Sequence, residues 1–321
     1  MHVVLSISAK RLALGLATLL AISLIVFFSV ELLPGDLAEA VLGQGATPEA
    51  VAALRHELGL DRPAAVRYMA WVLDLLHGDL GRSLATGRSV AELVADRLGN
   101  TVVLALAAAA IAMPLGVGLG ILSTVYRGRA FDRVASTASL AGISFPEFFT
   151  AYMLVAIFSV KLGWLPAVAL VGTGESWLQR LVVLTLPALT LALAVVAYVL
   201  RMTRAAIVGV MAAPYIEMAQ LKGISPVSIV IRHALPNALS PIINVVILNL
   251  AYLVVGVVVV EVVFVYPGLG QLLVDSVSKR DIPVVQACCI IFAATYVLLN
   301  LLADVLSVLS NPRLKRPRQQ V

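Results

Sequence analysis

The sequence is poor in charge and nearly free of cysteine. Asp, Glu, Lys and Arg make up 13% of its 321 residues, while 61% are hydrophobic. Soluble domains carry about 25% charged residues, so this composition excludes a soluble protein. The two cysteines, Cys288 and Cys289, are adjacent within an apolar run. We expect them to act as small apolar packing residues.

Patterns that carry covalent chemistry are also missing. No Gly-x-x-x-x-Gly-Lys-Ser/Thr loop occurs, so the chain cannot itself bind ATP in the P-loop manner. The four histidines lack the spacing of metal ligands, and we expect no metal site and no catalytic residue. Gly116, Gly118 and Gly120 follow Pro114 inside an apolar run, which favours close helix packing over a nucleotide-binding turn.

Six apolar segments are each long enough to cross a membrane, which needs roughly 20 such residues. Lipid offers backbone groups no hydrogen-bond partners, and the alternating pattern of a barrel is absent, so the spans must be helical. We therefore predict an all-α membrane protein with six transmembrane helices. The predicted spans are about 12–30, 101–126, 134–160, 181–200, 241–265 and 283–309.

Basic residues are concentrated on one side of these spans. With the N-terminus inside, the inside segments hold 13 of the 23 basic residues and only two acids, Asp132 and Glu217. The outside segments hold 10 basic and 13 acidic residues. This asymmetry predicts that both termini are cytoplasmic. The excess of basic residues behind the net charge of +5 therefore reflects the orientation of the chain in the membrane. No nucleic-acid partner is expected.

The chain divides into four predicted segments. Residues 1–30 form the N-terminus and first transmembrane helix, and residues 31–100 form a periplasmic helical loop that packs as a small cap. Residues 101–310 form a five-helix membrane core with a cytoplasmic loop at 201–240, and residues 311–321 form a basic cytoplasmic tail.

Helix signals punctuate the predicted cap. Thr47 and Pro48 start one helix, Pro63 starts a second, and Ser89 with Glu92 forms a capping box that starts a third. Three short helices are therefore expected between the first two spans.

The segment 217–236 predicts two short helices joined at a glycine. The first is expected to end at Lys222, with Gly223 as the left-handed residue that follows it, where a Cβ would be strained. Ser225 can cap the second helix, and Pro226 can open it because proline has no N–H to lose in the first turn.

This glycine-centred segment resembles the cytoplasmic "EAA" loop of bacterial ABC importer permeases, by which the membrane subunit docks on its ATPase. The resemblance is carried by the spacing of Glu217, Ala219, Gly223 and the pair Leu235-Pro236. It implies an ATPase-coupling role for Glu217, Ala219, Lys222, Gly223, Ser225, Pro226, Leu235 and Pro236.

Further landmarks are similar to those of the first permease subunit in the dipeptide/oligopeptide/nickel family. They are Leu33-Pro34-Gly35-Asp36, the segments 58–63 and 78–83, the segment 264–270, the run Arg280-Asp281-Ile282-Pro283 and the terminal Asn311-Pro312-Arg313. The resemblance therefore spans nearly the whole chain.

The resemblance implies an inner-membrane permease subunit that is not itself an enzyme. Its expected partners are a homologous second permease subunit, two ATP-binding subunits that carry ATP and Mg, a periplasmic substrate-binding protein and the lipid bilayer. Short peptides are the expected cargo, and nickel or another small solute is the alternative.

Three polar residues inside the predicted spans are candidates for lining the translocation path. Glu147 follows Pro146 in the third span, and Asn244 and Asn249 lie in the fifth. Glu147 has two open interpretations. It is either the partner of a peptide ammonium or other cation, or a structural group that bonds backbone atoms freed by Pro146 or stays protonated. The two asparagines are either interhelical hydrogen-bonding groups or path-lining residues.

Two functions from other classes remain as alternatives. An ATP-independent secondary transporter or channel is expected to show an internal inverted repeat with broken helices, which the sequence does not reveal. A membrane-embedded hydrolase would need a Ser/His or carboxylate pair, and none has recognisable spacing.

Overall fold

A computed structural model of the protein describes residues 2–32, 36–43, 46–170 and 176–310. Within these ranges every regular element is helical, apart from an isolated bridge between Arg82 and Ser89. The predicted basic tail and the landmarks at 33–35 and 311–313 lie outside the described residues. The α-helices are α1 His2–Glu31, α2 Leu37–Leu42, α3 Pro48–Glu57, α4 Ala64–Leu76, α5 Val90–Val125, α6 Ala130–Ser144, α7 Glu147–Leu154, α8 Trp177–Met211, α9 Pro214–Leu221, α10 Pro226–Ser228, α11 Leu235–Val263, α12 Leu269–Ser278 and α13 Ile282–Ser310.

The all-α membrane fold predicted from the sequence is confirmed. Five helices in the described part of the chain are long and apolar enough to cross a membrane, and a bent pair of helices supplies a sixth crossing if it counts as one span. The five are α1, α5, α8, the helix that ends as α11, and α13.

The third predicted span is not one straight helix. Helix α6 ends at Ser144, and α7 starts at Glu147 at an angle of 103° to it. Pro146 disfavours the helical conformation at the residue before it, and Phe145 accordingly adopts extended dihedral angles of −85° and 129°. A π-helical segment, Val155–Lys161, continues α7.

Other elements also differ from the sequence prediction. The third short helix of the loop does not stand alone, because α5 begins at Val90 and continues without a break to Val125. Helix α12 lies between the last two spans and α2 lies before α3, and neither helix is predicted from the sequence. The other two cap helices, α3 and α4, begin where Thr47-Pro48 and Pro63 predict.

The chain forms two compact units, of which one contains residues 16–101 and 267–294. In this unit the Asp281 carboxylate accepts hydrogen bonds from the Ser83 hydroxyl and from the backbone N–H groups of Leu84 (3.0 Å) and Ala85 (3.4 Å). Asn100 donates to the Pro267 carbonyl oxygen at 2.9 Å. Two family-like landmarks, the 78–83 and 280–283 segments, are thereby joined by one buried carboxylate.

The described part of the other compact unit comprises residues 2–15, 102–170, 176–266 and 295–310. Helix α8 is central to it and packs most extensively against α11 and then α6. Glycines bring α5 close to α8, since a Cβ on Gly116 would lie 2.7 Å from the Val199 Cβ, and one on Gly120 would lie 2.7 Å from the Thr203 Cβ. The packing role predicted for these two glycines is confirmed, while Gly118 faces open space.

Candidate functional site

The first candidate site is the glycine turn, residues 214–228. Helix α9 ends with Lys222 as its C-cap, and Gly223 adopts a φ of +74°. The Gly223 N–H donates to the Gln220 carbonyl at 2.9 Å, and the Ile224 N–H donates to the Ala219 carbonyl at 3.2 Å. These two bonds form a Schellman motif, in which the residue after the cap is left-handed. The left-handed residue predicted at Gly223, after a helix end at Lys222, is confirmed.

The second half of the turn begins as predicted but does not form a separate short helix. The Ser225 hydroxyl accepts from the Ser228 N–H at 3.4 Å, and Pro226 occupies the first helical turn. The helix then continues through a π-helical segment, Ile229–Ala234, directly into α11, so that residues Pro226–Val263 form one element of 38 residues. Pro236 has no N–H to donate to the carbonyl four residues earlier, and the wider π segment accommodates that loss.

The glycine turn has one buried face and one exposed face. Ile216 and Ala219 of α9 pack with Ile229 and Val230 in a buried apolar cluster. The exposed face carries apolar side chains, of which Leu221 is 76% exposed, alongside the charged residues Glu217 and Lys222. An apolar surface flanked by charges is suited to contact with another protein.

The second candidate site is the tyrosine cavity, which has a volume of about 560 Å³ and lies where α6 and α7 meet. The Tyr252 hydroxyl donates to Glu147 Oε1 at 2.6 Å, which joins α11 to the start of α7. The lining comes from four parts of the chain: Gly142, Ile143, Phe145, Pro146, Glu147, Ala194, Val195, Tyr198, Leu248, Asn249, Tyr252 and Tyr296.

Two of the three path candidates meet in this cavity. Glu147 and Asn249 both line it, whereas Asn244 is partly buried elsewhere on α11. The amide nitrogen of Asn249 donates to the Val245 carbonyl of its own helix at 2.7 Å. Glu147 bonds a tyrosine of another helix and none of the described backbone groups around Pro146.

A partly buried ion pair towards the end of α8 was not predicted. Arg204 binds the Asp132 carboxylate in a bidentate manner, with Nε–Oδ1 at 2.7 Å and Nη2–Oδ2 at 2.9 Å. The Ser123 hydroxyl (2.5 Å) and the Gly128 N–H (2.9 Å) donate to the same carboxylate. This cluster ties α5, α6 and α8 together seven residues before α8 ends at Met211. No local signal identifies it, because Asp132 and Arg204 are 72 residues apart.

Metal-ligating chemistry does not occur in the described ranges, where no three His, Cys, Asp or Glu side chains cluster as a metal site would require. The glycine turn and the tyrosine cavity instead offer a protein-contact surface and a binding volume.

The chain is similar in sequence to membrane subunits of known transport systems. Residues 116–316 match the family described as binding-protein-dependent transport system inner membrane component, and residues 4–105 match the N-terminal family of such membrane components. The glutathione transport system permease protein GsiC of Salmonella typhi is 40% identical over 306 residues, covering 95% of this chain and 97% of the relative. A putative peptide transport system permease protein of Brucella abortus (strain 2308) is also 40% identical, over 95% of this chain and 98% of the relative.

Among solved structures, an inward-facing form of the MetNI methionine ABC transporter has a similar fold. The alignment has a TM-score of 0.58 and 18% identity, and it covers 68% of this chain and 96% of the other.

Proposed function

The chain belongs to the family of binding-protein-dependent transport system inner membrane components, the permease subunits of ABC importers, and we propose that it forms half of the translocation path of an importer for short peptides. The other half comes from a homologous second permease subunit. Two separate subunits bind ATP and Mg, hydrolyse the ATP and drive the cycle. A periplasmic binding protein delivers the cargo, and this chain itself catalyses no reaction.

The observation that carries this proposal is the connection between the glycine turn and the tyrosine cavity. Helix α9 follows α8 after a two-residue link, Ala212-Ala213, and the turn after α9 leads into the helix that becomes α11. Both α8 and α11 line the cavity, through Tyr198 and Tyr252 respectively. At 1.5 Å per residue, Pro226 and Tyr252 are about 40 Å apart along one helix. A displacement of the turn is therefore transmitted to the cavity by two continuous helices.

In this mechanism the exposed face of the turn docks on an ATP-binding subunit. The contact consists of Glu217, Lys222 and the apolar residues beside them. Ala219 packs in the buried cluster and holds α9 against the rest of the permease. Gly223, Ser225 and Pro226 fix the angle between α9 and the next helix, and Leu235 and Pro236 lie where the π segment gives way to α11. ATP-driven closure of the partner subunits then pushes on α8 and α11, and the path re-opens on the other side.

Short peptides are the proposed cargo because the relatives include glutathione and peptide permeases that this chain matches over nearly their full lengths. Nickel complexes and other small solutes are the alternative. A binding assay on the cognate binding protein, with peptides and nickel compared, distinguishes the two.

We further propose that the chain lies in the bacterial inner membrane with the glycine turn and both termini on the cytoplasmic side. The distribution of basic residues supports this orientation. A cysteine placed at Thr86 should react with an impermeant thiol reagent in intact cells, and one placed at Arg129 should not. Labelling of the Arg129 position from outside would reverse the topology.

Site-directed cross-linking tests the docking role directly. In a background with Cys288 and Cys289 replaced by alanine, Leu221→Cys should form a short cross-link to an ATP-binding subunit of the assembled complex. Leu76→Cys is the matched control, because Leu76 is also 76% exposed but lies at the end of α4 in the cap. Cross-linking from Leu76, or its absence from Leu221 in an assembled complex, contradicts the proposal.

One observation favours an ATP-independent secondary transporter. The break between α6 and α7 is a discontinuous helix of the kind found at the binding sites of such proteins, which the sequence did not reveal. A secondary transporter would take up cargo without ATP, driven by an ion gradient.

A further inference from the structure

The tyrosine cavity carries an excess of negative charge. Glu147 is the only Asp, Glu, Lys or Arg among the described residues that line it. Its Oε1 accepts from Tyr252, and that hydroxyl adds no formal charge. A carboxylate in a largely apolar volume is stabilised by a cation, so a ligand that fills this cavity should bring a positive group.

The end of α6 adjoins the same volume. Gly142 and Ile143, in the last turn of α6, line the cavity. The carbonyl of Gly142 would normally accept from the residue four positions later, but that residue is Pro146, which has no N–H. Unpaired carbonyls at a helix C-terminus carry partial negative charge and attract cations.

Three tyrosines line the same cavity as the carboxylate. Tyr198, Tyr252 and Tyr296 come from α8, α11 and α13 and all line the cavity. The faces of aromatic rings attract ammonium groups, and cages of several rings are a recurring solution for binding them. Asn249 adds a hydrogen-bond acceptor. Its amide nitrogen donates to the Val245 carbonyl, so its amide oxygen can accept from an ammonium group.

We propose that the tyrosine cavity binds the ammonium group of an amine-bearing cargo, with Glu147 as its counter-ion. This inference rests on the proposed function and specifies it, since it selects cargo with a free amino group. A cavity of about 560 Å³ is large enough to hold a small peptide, including its amino terminus. Tyr252 is a positioning residue, because its hydroxyl holds the carboxylate at the break between α6 and α7.

The test measures binding to the assembled complex without the binding protein, so that the binding protein's own selectivity does not contribute. The two probes are alanyl-alanine and N-acetyl-alanyl-alanine, radiolabelled and otherwise identical. The wild-type complex should bind the free-amine peptide at least about tenfold more tightly, in keeping with one charge-assisted contact in an apolar site.

Two variants separate the cavity from the rest of the helix. Glu147→Gln should remove the preference for the free amine and leave the affinity for the acetylated peptide unchanged. Tyr152→Phe is the matched control, since Tyr152 lies on the same helix α7 but outside the cavity, and it should keep the preference.

Equal binding of the two peptides by the wild-type complex overturns the inference, as does a preference that persists in Glu147→Gln. If Glu147→Gln does not assemble, the wild-type comparison still decides, together with competition by tetramethylammonium, which should displace only the free-amine peptide. Peptide-stimulated ATP hydrolysis, measured in the same preparations, tests the proposed function separately. Its absence in the wild type refutes the importer mechanism, whereas its presence without an amine preference refutes only the cavity assignment.

Discussion

The ion pair between Asp132 and Arg204 gives the sharpest stability prediction. Asp132→Asn removes the charge of a side chain that is only 6% exposed and that accepts from Arg204, Ser123 and Gly128. The asparagine oxygen can keep part of this network, but its NH₂ group cannot accept from the guanidinium.

The magnitude follows from what is left behind. Breaking a fully buried pair costs about 3–5 kcal/mol because the remaining charge is uncompensated. The Arg204 side chain is 28% exposed, so water recovers part of its solvation, and we expect a loss of about 2–3 kcal/mol. Arg204→Lys should cost less, since lysine keeps the charge but loses the bidentate geometry.

The assay is the thermal or denaturant midpoint of the solubilised complex, read for Asp132→Asn, for Arg204→Gln and for the double variant that combines these two substitutions. The double-mutant cycle should return a coupling energy of about 2 kcal/mol. Arg201→Gln serves as the control, because Arg201 is exposed on the same helix and has no ion pair in the described structure. A coupling energy near zero would show that this cluster does not hold α6 to α8.

Three other substitutions test a backbone conformation, a buried carboxylate and a close approach of two helices. Gly223→Val should strain a φ of +74° by roughly 1–2 kcal/mol and lower peptide-stimulated ATP hydrolysis. Gly223→Asn should retain this hydrolysis because asparagine tolerates a positive φ. Equal activities of the two variants would contradict the role of the turn. Asp281→Asn should destabilise the contact with residues 83–85 by about 1–3 kcal/mol, measured as faster proteolysis. Asp275→Asn, at an exposed site, should leave the cleavage rate unchanged. Equal cleavage rates for the two variants would show that the buried carboxylate does not stabilise this region. Gly120→Val should reduce the yield of folded protein through a clash with α8, while Gly118→Val should be tolerated, and comparable yields would show that α5 and α8 are not in close contact.

The glycine turn was predictable from sequence because its determinants are local. Lys222, Gly223, Ser225 and Pro226 act through backbone conformation and capping, which depend on neighbouring residues alone. The continuation into α11 is not evident from the sequence, because a proline such as Pro236 normally interrupts a helix, whereas here a π segment carries the chain across it.

The third span was predicted as continuous because hydropathy averages over a window and Pro146 changes direction without changing hydropathy. The N-terminal part of α5 was missed because the predicted span was placed by hydropathy alone. Charged residues such as Arg97 interrupt the apolar run before residue 101 but do not break a helix.

Contacts between distant residues were beyond a single sequence. Asp281 meets Ser83 across 198 positions, and Glu147 meets Tyr252 across 105. Each residue has an unremarkable local environment, and only the packing of the helices brings the partners together. The tyrosine cavity could therefore be anticipated through Glu147 and Asn249 but not through its three tyrosines.

Simultaneous measurement of uptake and ATP hydrolysis tests the central claim most directly. Proteoliposomes would contain this chain with its second permease and both ATP-binding subunits, and the binding protein and a labelled short peptide would be supplied outside. The importer mechanism predicts that uptake requires ATP and the binding protein, that peptide stimulates hydrolysis, and that both activities disappear when this chain is omitted. Uptake by this chain without ATP, driven by a proton or sodium gradient, would contradict it and establish a secondary transporter instead.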